Sequence, residues 1–305
     1  MRNRKLDAYL KDIAEGRVSP VVAAEKLRMQ PYDDMDFAKL DTNRELRTGR
    51  GEVVFALGKT PEQTASIMLR MAENAAAEAA ERNLGVEAPG VPIPVSIPPI
   101  FATKASLEHY AAVTEAFGDG RIDECLFTPE YYDTARMITV RNTVPGNDRQ
   151  GATRRDGLIA VVSAGTADMP VAEEAALTAE LYGHEVMRIY DVGVSGLHRL
   201  LDRVDDIRKA DVVVAVAGME GALVSVVSGL VYRPVVAVPT SVGYGVTLSG
   251  LTPLFAMLGS CSLGAGVMNI DNGFGAAHYA SMILGVRETG GAENVGGAGE
   301  TENDE

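Results

Sequence analysis

The sequence predicts an α/β protein: a doubly wound parallel sheet of about five strands, flavodoxin-like or Rossmann-like, behind a smaller N-terminal α+β domain. Two observations carry this. From residue 157 to 287, short apolar runs alternate with longer helical segments, the rhythm of repeated strand–helix units. The runs are apolar throughout rather than at every second residue, as in strands covered on both faces. Right-handed crossovers between such strands give the doubly wound form.

In chain order, residues 1 to about 28 read as helical, with a fresh start at Ser19-Pro20 because Pro is tolerated in a first turn. Val53 to Leu57 is a short strand. Thr60-Pro61-Glu62-Gln63 opens a helix to about Glu81: Thr caps, Pro takes the first helical position and Gln completes a capping box. Residues 82–93 are rich in Gly and Pro and read as a surface insertion. Val95 to Thr103 is extended, Ala105 to Phe117 helical, and Glu124 to Phe127 and Ala135 to Val140 are strand candidates. The domains expected are 1–142, a polar linker at 143–156, a catalytic domain at 157–287 and a disordered acidic tail at 288–305. Within the catalytic domain the strands are 158–163, 185–190, 211–217, 234–238 and 266–270. The helices are 171–182, 196–209, 220–232, 249–258 and 274–286.

The net charge is −14, with only seven lysines in 305 residues. That excludes nonspecific nucleic-acid binding, which needs a basic surface. It fits a salt-adapted, halophile-type surface or an ordinary acidic protein equally well. No apolar run is long enough to span a bilayer, and the charged first sixteen residues lack a signal-peptide core, so a cytoplasmic location is expected. Cys125 and Cys261 lack metal-ligand spacing.

In open parallel sheets, ligands bind beyond the carboxyl ends of the strands. The residues there are Ser163 to Asp168, Asp191 to Ser195, Gly218 to Gly221, Pro239 to Gly245 and Asn269 to Gly273. All five stretches are small, polar or glycine-rich. The candidate binding residues are Ser163, Gly165, Thr166, Asp168, Asp191, Gly193, Gly218, Met219, Thr240, Ser241, Gly243, Asn269, Asp271 and Asn272, whose hydroxyls and amides suit an anionic nucleotide. Asp168 either caps the following helix or holds ribose, a metal or a proton. His198 is a proton shuttle or a structural residue. Glu220 is either a capping acid or a buried carboxylate with a tuned pKa. Cys261, in Gly259-Ser260-Cys261-Ser262-Leu263-Gly264, is inert core or a reactive thiol. Cys125 reads as core.

These stretches carry a family resemblance. Ala164-Gly165-Thr166-Ala167-Asp168-Met169-Pro170-Val171-Ala172-Glu173-Glu174 is similar to the signature of the aminoimidazole ribonucleotide carboxylase superfamily. Several stretches resemble its nickel-pincer branch, the LarB family of pyridinium-3,5-biscarboxylic acid mononucleotide synthases. They are Asp191 to Arg199, Ala217 to Leu223, Pro239 to Gly245 and Asn269 to Gly275, with Asp41, Arg44, Arg47, Gly49, Glu52-Val53-Val54 and Gly58 to Gln63 in the N-terminal domain. The resemblance covers roughly 38 to 286. Residues 75–98 depart from it by being longer.

The resemblance implies that nicotinic acid adenine dinucleotide is carboxylated at C5 of its pyridinium ring by CO2 or bicarbonate. It also implies that the phosphoanhydride is hydrolysed to release AMP. Cys261 is implied as the thiolate that adds to the ring, and Glu220 as an essential acid; His198 matches the proton-shuttling histidine of the purine relatives. Mg2+ is expected for the hydrolysis, with Asp168 a candidate ligand, and no organic cofactor. A symmetric homo-octamer is implied. Two rival readings are an aminoimidazole ribonucleotide carboxylase or mutase, whose substrate is already an enamine and needs no thiol, and a non-catalytic nucleotide-binding protein.

Overall fold

A computed structural model describes residues 4–23, 32–42, 44, 48–84, 99–122, 127–142 and 157–290. The expected linker at 143–156, Cys125 and most of the 82–93 insertion lie outside them. The chain divides into two compact units between Thr153 and Arg154.

The first unit begins with α1 (Arg4–Ala14), after which Ser19 Oγ accepts from the amide of Val22 and opens the second helical start. A hairpin of two-residue strands, β1 (Asp33–Asp34) and β2 (Lys39–Leu40), follows. A four-stranded sheet is then built from β3 (Val54–Phe55), β4 (Ile100–Thr103), β5 (Phe127–Tyr132) and β6 (Met137–Asn142) in the order β3-β4-β6-β5. Against it pack α2 (Pro61–Leu84) and α3 (Leu107–Phe117), closing a core around Met68, Phe117, Phe127 and Ile138. The box at the start of α2 forms in both directions: the Gln63 amide donates to Thr60 Oγ1 at 3.2 Å, and the Thr60 amide to Gln63 Oε1 at 3.0 Å. At the start of α3, Ser106 caps and His109 takes the same reciprocal part.

The second unit is a five-stranded parallel sheet. Its strands are β7 (Leu158–Ser163), β8 (Glu185–Ile189), β9 (Val212–Ala217), β10 (Val235–Pro239) and β11 (Ala265–Val267), in the order β11-β10-β9-β7-β8. The inner strands β7, β9 and β10 are apolar and buried on both faces, whereas the edge strands β8, with Glu185 and Arg188, and β11 are only partly buried. Ile159, Val161, Val214 and Val236 face α4 (Met169–Leu181) and α9 (Gly273–Gly290). Ala160, Val162, Val213 and Val235 face the layer holding α5 (Leu197–Leu201), α6 (Val204–Ile207), α7 (Ala222–Leu230) and α8 (Leu251–Leu258). Each fully buried valine contributes roughly 1.5–3 kcal/mol. The chain leaves inner strand β7 for edge strand β8, then returns past β7 to β9. The crevice between β7 and β9 is therefore the topological switch point.

Several boundaries differ from the sequence expectation, among them the last strand, expected at 266–270 and observed as Ala265–Val267. The helix expected from Glu220 starts at Ala222, because Gly221 before it is left-handed with φ of 70°. The expected 196–209 helix is two pieces, broken at Asp202–Arg203. The last helix runs to Gly290 rather than ending near 286. No helix among the described residues is long and apolar enough to cross a membrane.

Candidate functional site

The site grows from how the chain leaves each strand. Eight non-glycine residues among those described have left-handed φ, and five lie in loops at the carboxyl ends of these strands: Asp191, Met219, Leu248, Ser249 and Asp271. Such backbone is costly and persists where the surroundings enforce it. Backbone bonds tie the loops across the sheet edge: Ala164 donates to Val216 O, Gly193 to Ala164 O, Thr240 to Ala217 O, and Met219 to Val242 O at 3.0 Å. Gly218 is required by close approach: a Cβ there would stand 2.4 Å from Val242 O and 2.6 Å from Thr240 Oγ1.

At the centre sits Asp168, 4% exposed. Its Oδ1 accepts from Thr240 Oγ1 at 2.6 Å, and its Oδ2 from the Gly165 amide at 3.0 Å. Burial pushes this carboxyl above its ordinary range. The bonds from Thr240 and from the Gly165 and Gly218 amides pull it partly back, and Asp271 raises it further. Asp168 therefore joins the ends of β7, β9 and β10; its side chain makes no cap to the helix that follows. Asp271 Oδ1 accepts from the Ser241 amide at 2.8 Å, drawing in the end of β11. Ser163 is buried, with its Oγ at 3.4 Å from the Asp191 amide. Thr166, Ser241, Gly243 and Asn269 are exposed, while Gly165, Gly193 and Asn272 are partly buried.

Arg199, not among the residues singled out from sequence, pairs with Asp191 at 2.6 Å on the rim of the second loop. Its signal was present: it follows His198 one residue on, and a cation is what an anionic ligand needs beside so many carboxylates. His198 and Glu220 are both exposed, and Glu220 sits in the turn before α7 rather than in a buried pocket.

Cys261 stands elsewhere. It is a free, exposed cysteine in the loop between α8 and β11. That loop enters its strand, so within one chain it lies at the amino edge of the sheet, away from the strand ends. Its neighbours fasten it to α7: Ser262 Oγ donates to Ser225 O at 2.8 Å, and Ser260 Oγ meets Ser225 Oγ at 2.8 Å. The structure thus brings Asp168, Thr240, Gly165, Gly218, Ser241 and Asp271 together, and leaves Cys261 outside that group.

Both oxygens of Asp168 are engaged, and among the described residues no cluster of three or more His, Cys, Asp or Glu could hold an ion.

Comparison with known proteins agrees with this architecture. Residues 32–80 match a LarB/PurE-like N-terminal domain, and residues 158–304 match the AIR carboxylase domain. An uncharacterized protein of Methanocaldococcus jannaschii is 34% identical over 271 residues, covering 88% of this chain and 92% of the relative. An N5-carboxyaminoimidazole ribonucleotide mutase of the same organism is 31% identical over 138 residues, 43% of this chain and 81% of its own length. The mutase of that name from Thermotoga maritima is 27% identical over 139 residues, 42% of this chain and 75% of its own length. The N-terminal match and the near full-length relative set the chain apart from the mutases, which align with under half of it: the chain belongs to the AIR carboxylase superfamily, in the family that joins a LarB/PurE-like N-terminal domain to the carboxylase domain.

Proposed function

We propose that the protein carboxylates C5 of the pyridinium ring of nicotinic acid adenine dinucleotide with CO2 and hydrolyses the phosphoanhydride, giving pyridinium-3,5-biscarboxylic acid mononucleotide and AMP. The observation that carries this reading is the exposed thiol of Cys261 on a fastened Ser–Gly loop. A carboxylase acting on an enamine needs no nucleophile; one acting on an electron-poor pyridinium does. The Cys261 thiolate adds to the ring, forming a C–S bond and turning the ring into an enamine. C5 then attacks CO2. Glu220 takes the C5 proton, the C–S pair returns to sulfur, and aromaticity is restored. His198, at the start of α5 after the second strand-end loop, is read as a second proton carrier. The strand-end loops hold ribose and phosphates, with Arg199 opposing phosphate charge. Mg2+ is read as a companion of the substrate's pyrophosphate, and no step above passes through it.

Because thiol and crevice stand at opposite edges of one sheet, the reading requires a homo-oligomer in which the Cys261 loop of one copy covers the strand ends of another. Two features support that. Between Arg233 and Asp271 there is no charged residue, in a chain of net charge −14. Along α8, Leu251, Phe255 and Leu258 form an exposed apolar stripe, continued by Leu263. Apolar stripes of this kind are what isologous interfaces bury.

The test is one reaction. Protein, dinucleotide, bicarbonate and Mg2+ at high salt yield AMP and a product heavier by one carboxyl group in the mass spectrum, and Cys261→Ala abolishes the carboxylated product. Equal turnover of aminoimidazole ribonucleotide by the parent and Cys261→Ala would favour the purine reading instead.

A further inference from the structure

We infer that Glu174 is a positioning residue of the strand-end crevice: from the helix layer behind it, Glu174 holds the loop that carries Asp271 against the loop that carries Asp168. The inference rests on the crevice being the ligand site of the proposed function, and it adds what keeps the crevice in shape. Glu174 lies in the second turn of α4, six residues after Asp168, and is 1% exposed. A carboxylate is costly to bury without a partner. The pair α4 and α9 is otherwise alanine-rich in its buried core, with Ala172, Ala175 and Ala176 on one helix and Ala276, Ala277 and Ala280 on the other. Such packing does not call for an acid. A backbone group does: Glu174 Oε2 accepts from the Gly273 amide at 3.1 Å.

Gly273 is the first residue of α9, and its amide is one of those a helix leaves without an internal partner. Asn272, just before it, spends its Oδ1 on the Gly275 amide at 2.8 Å. Gly273 is buried, so its amide must be met from within the protein. The fit is close: a Cβ on Gly273 would stand 2.2 Å from Val171 O and 2.9 Å from Glu174 Oε2. The first turn of α9 is therefore seated directly on α4. Two residues upstream, the Asp271 amide donates to Pro239 O at 2.9 Å, and Asp271 Oδ1 accepts from the Ser241 amide at 2.8 Å. Asp271 is left-handed, with φ of 57°, a conformation that persists where both sides of it are held. The end of β10 holds one side and Glu174 the other. Asp168, at the head of α4, reaches the same end of β10 through Thr240. Thr240 and Ser241 thus join the loops after β7 and β11 in front, and Glu174 joins them behind.

The experiment combines hydrogen exchange with titration calorimetry on the full chain. Glu174→Asp keeps the charge but falls one methylene short, while Glu174→Gln keeps an acceptor oxygen at the same reach. In Glu174→Asp the amides of 239–245 and 268–273 exchange about tenfold faster than in the parent, and nicotinic acid adenine dinucleotide binds about tenfold more weakly, as for one lost buried hydrogen bond to a charged group. The amides of β7 and β9 keep their protection. Glu174→Gln restores both readings. Leu177→Ala, which opens a cavity elsewhere on α4, lowers the melting temperature without either effect. Parental exchange and affinity in Glu174→Asp overturn the inference and leave the proposed function standing. The same changes in Leu177→Ala also overturn it, because lost stability would then explain them. An unprotected Gly273 amide in the parent overturns it whatever the variants do, including a variant that does not fold. Failure of the parent to bind the dinucleotide overturns the proposed function and the inference together.

Discussion

Asp168 shows how one carboxyl can organise a site without being the reagent. It is bonded to the ends of three strands, and burial holds its proton more tightly in the folded protein than in the unfolded chain. Over the interval between the ordinary value of 3.8 and the raised one, the native state therefore binds more protons. In that interval this group's contribution to stability falls as pH rises, and it is level above. Asp168→Asn removes the titration. The stability of the parent relative to the variant, measured by urea unfolding across pH, should decline through the window and then flatten. A difference independent of pH would refute the assignment. At this scale the sequence was a partial guide. The strand-end rule found Asp168, Thr240 and Gly218, because loop composition is local information. That Thr240 spends its proton on Asp168 was not legible, since the two are 72 residues apart and meet only in the sheet. Glu220 was open between a capping acid and a buried carboxylate; it is exposed, because the left-handed Gly221 turns the chain outward before the helix begins.

At the scale of elements, what was readable depended on how much of each signal lay within a few residues. The start of α2 was fully specified by Thr60, Pro61 and Gln63, and both bonds of its box are made. Thr60→Ala should cost about 1 kcal/mol in denaturant unfolding of the N-terminal unit; an unchanged midpoint would mean that Pro61 and packing alone set the start. By contrast, β5 continues to Tyr132 through Pro129, past the expected end at Phe127. The proline is tolerated because, among the described residues, β5 is an edge strand paired only with β6, and edge position cannot be read from one strand's own residues. The hairpin of β1 and β2 is two residues a side, too short for any alternation to show. The parallel strands were the most legible elements: β7 matched at both ends and β9 within one residue, because β-branched apolar runs buried on both faces admit few other readings.

At the scale of the whole molecule, the position of Cys261 is the feature that sequence spacing conceals. The resemblance implied that this thiol meets a ring held at the strand ends, yet a loop entering a parallel strand lies at the opposite edge from one leaving it. The absence of charge from 234 to 270 can be read from the residues, but only the fold shows that Leu251, Phe255 and Leu258 are exposed along α8. If two copies share each site, two inactive variants should repair one another. Cys261→Ala retains Glu220, and Glu220→Gln retains Cys261. Co-expressed with different tags and purified as mixed oligomers, they should recover carboxylation at about a quarter of parental activity, the fraction of sites that draw both intact residues when two kinds of subunit assemble at random. Each variant alone stays inactive. A site contained within one chain cannot be repaired this way, because every chain in the mixture carries one lesion. Mixed oligomers with no activity would therefore show that the thiol and the acid do not come from different copies. Leu258→Glu, placed in the apolar stripe, should prevent this recovery by separating the subunits, with the loss of mass read by light scattering.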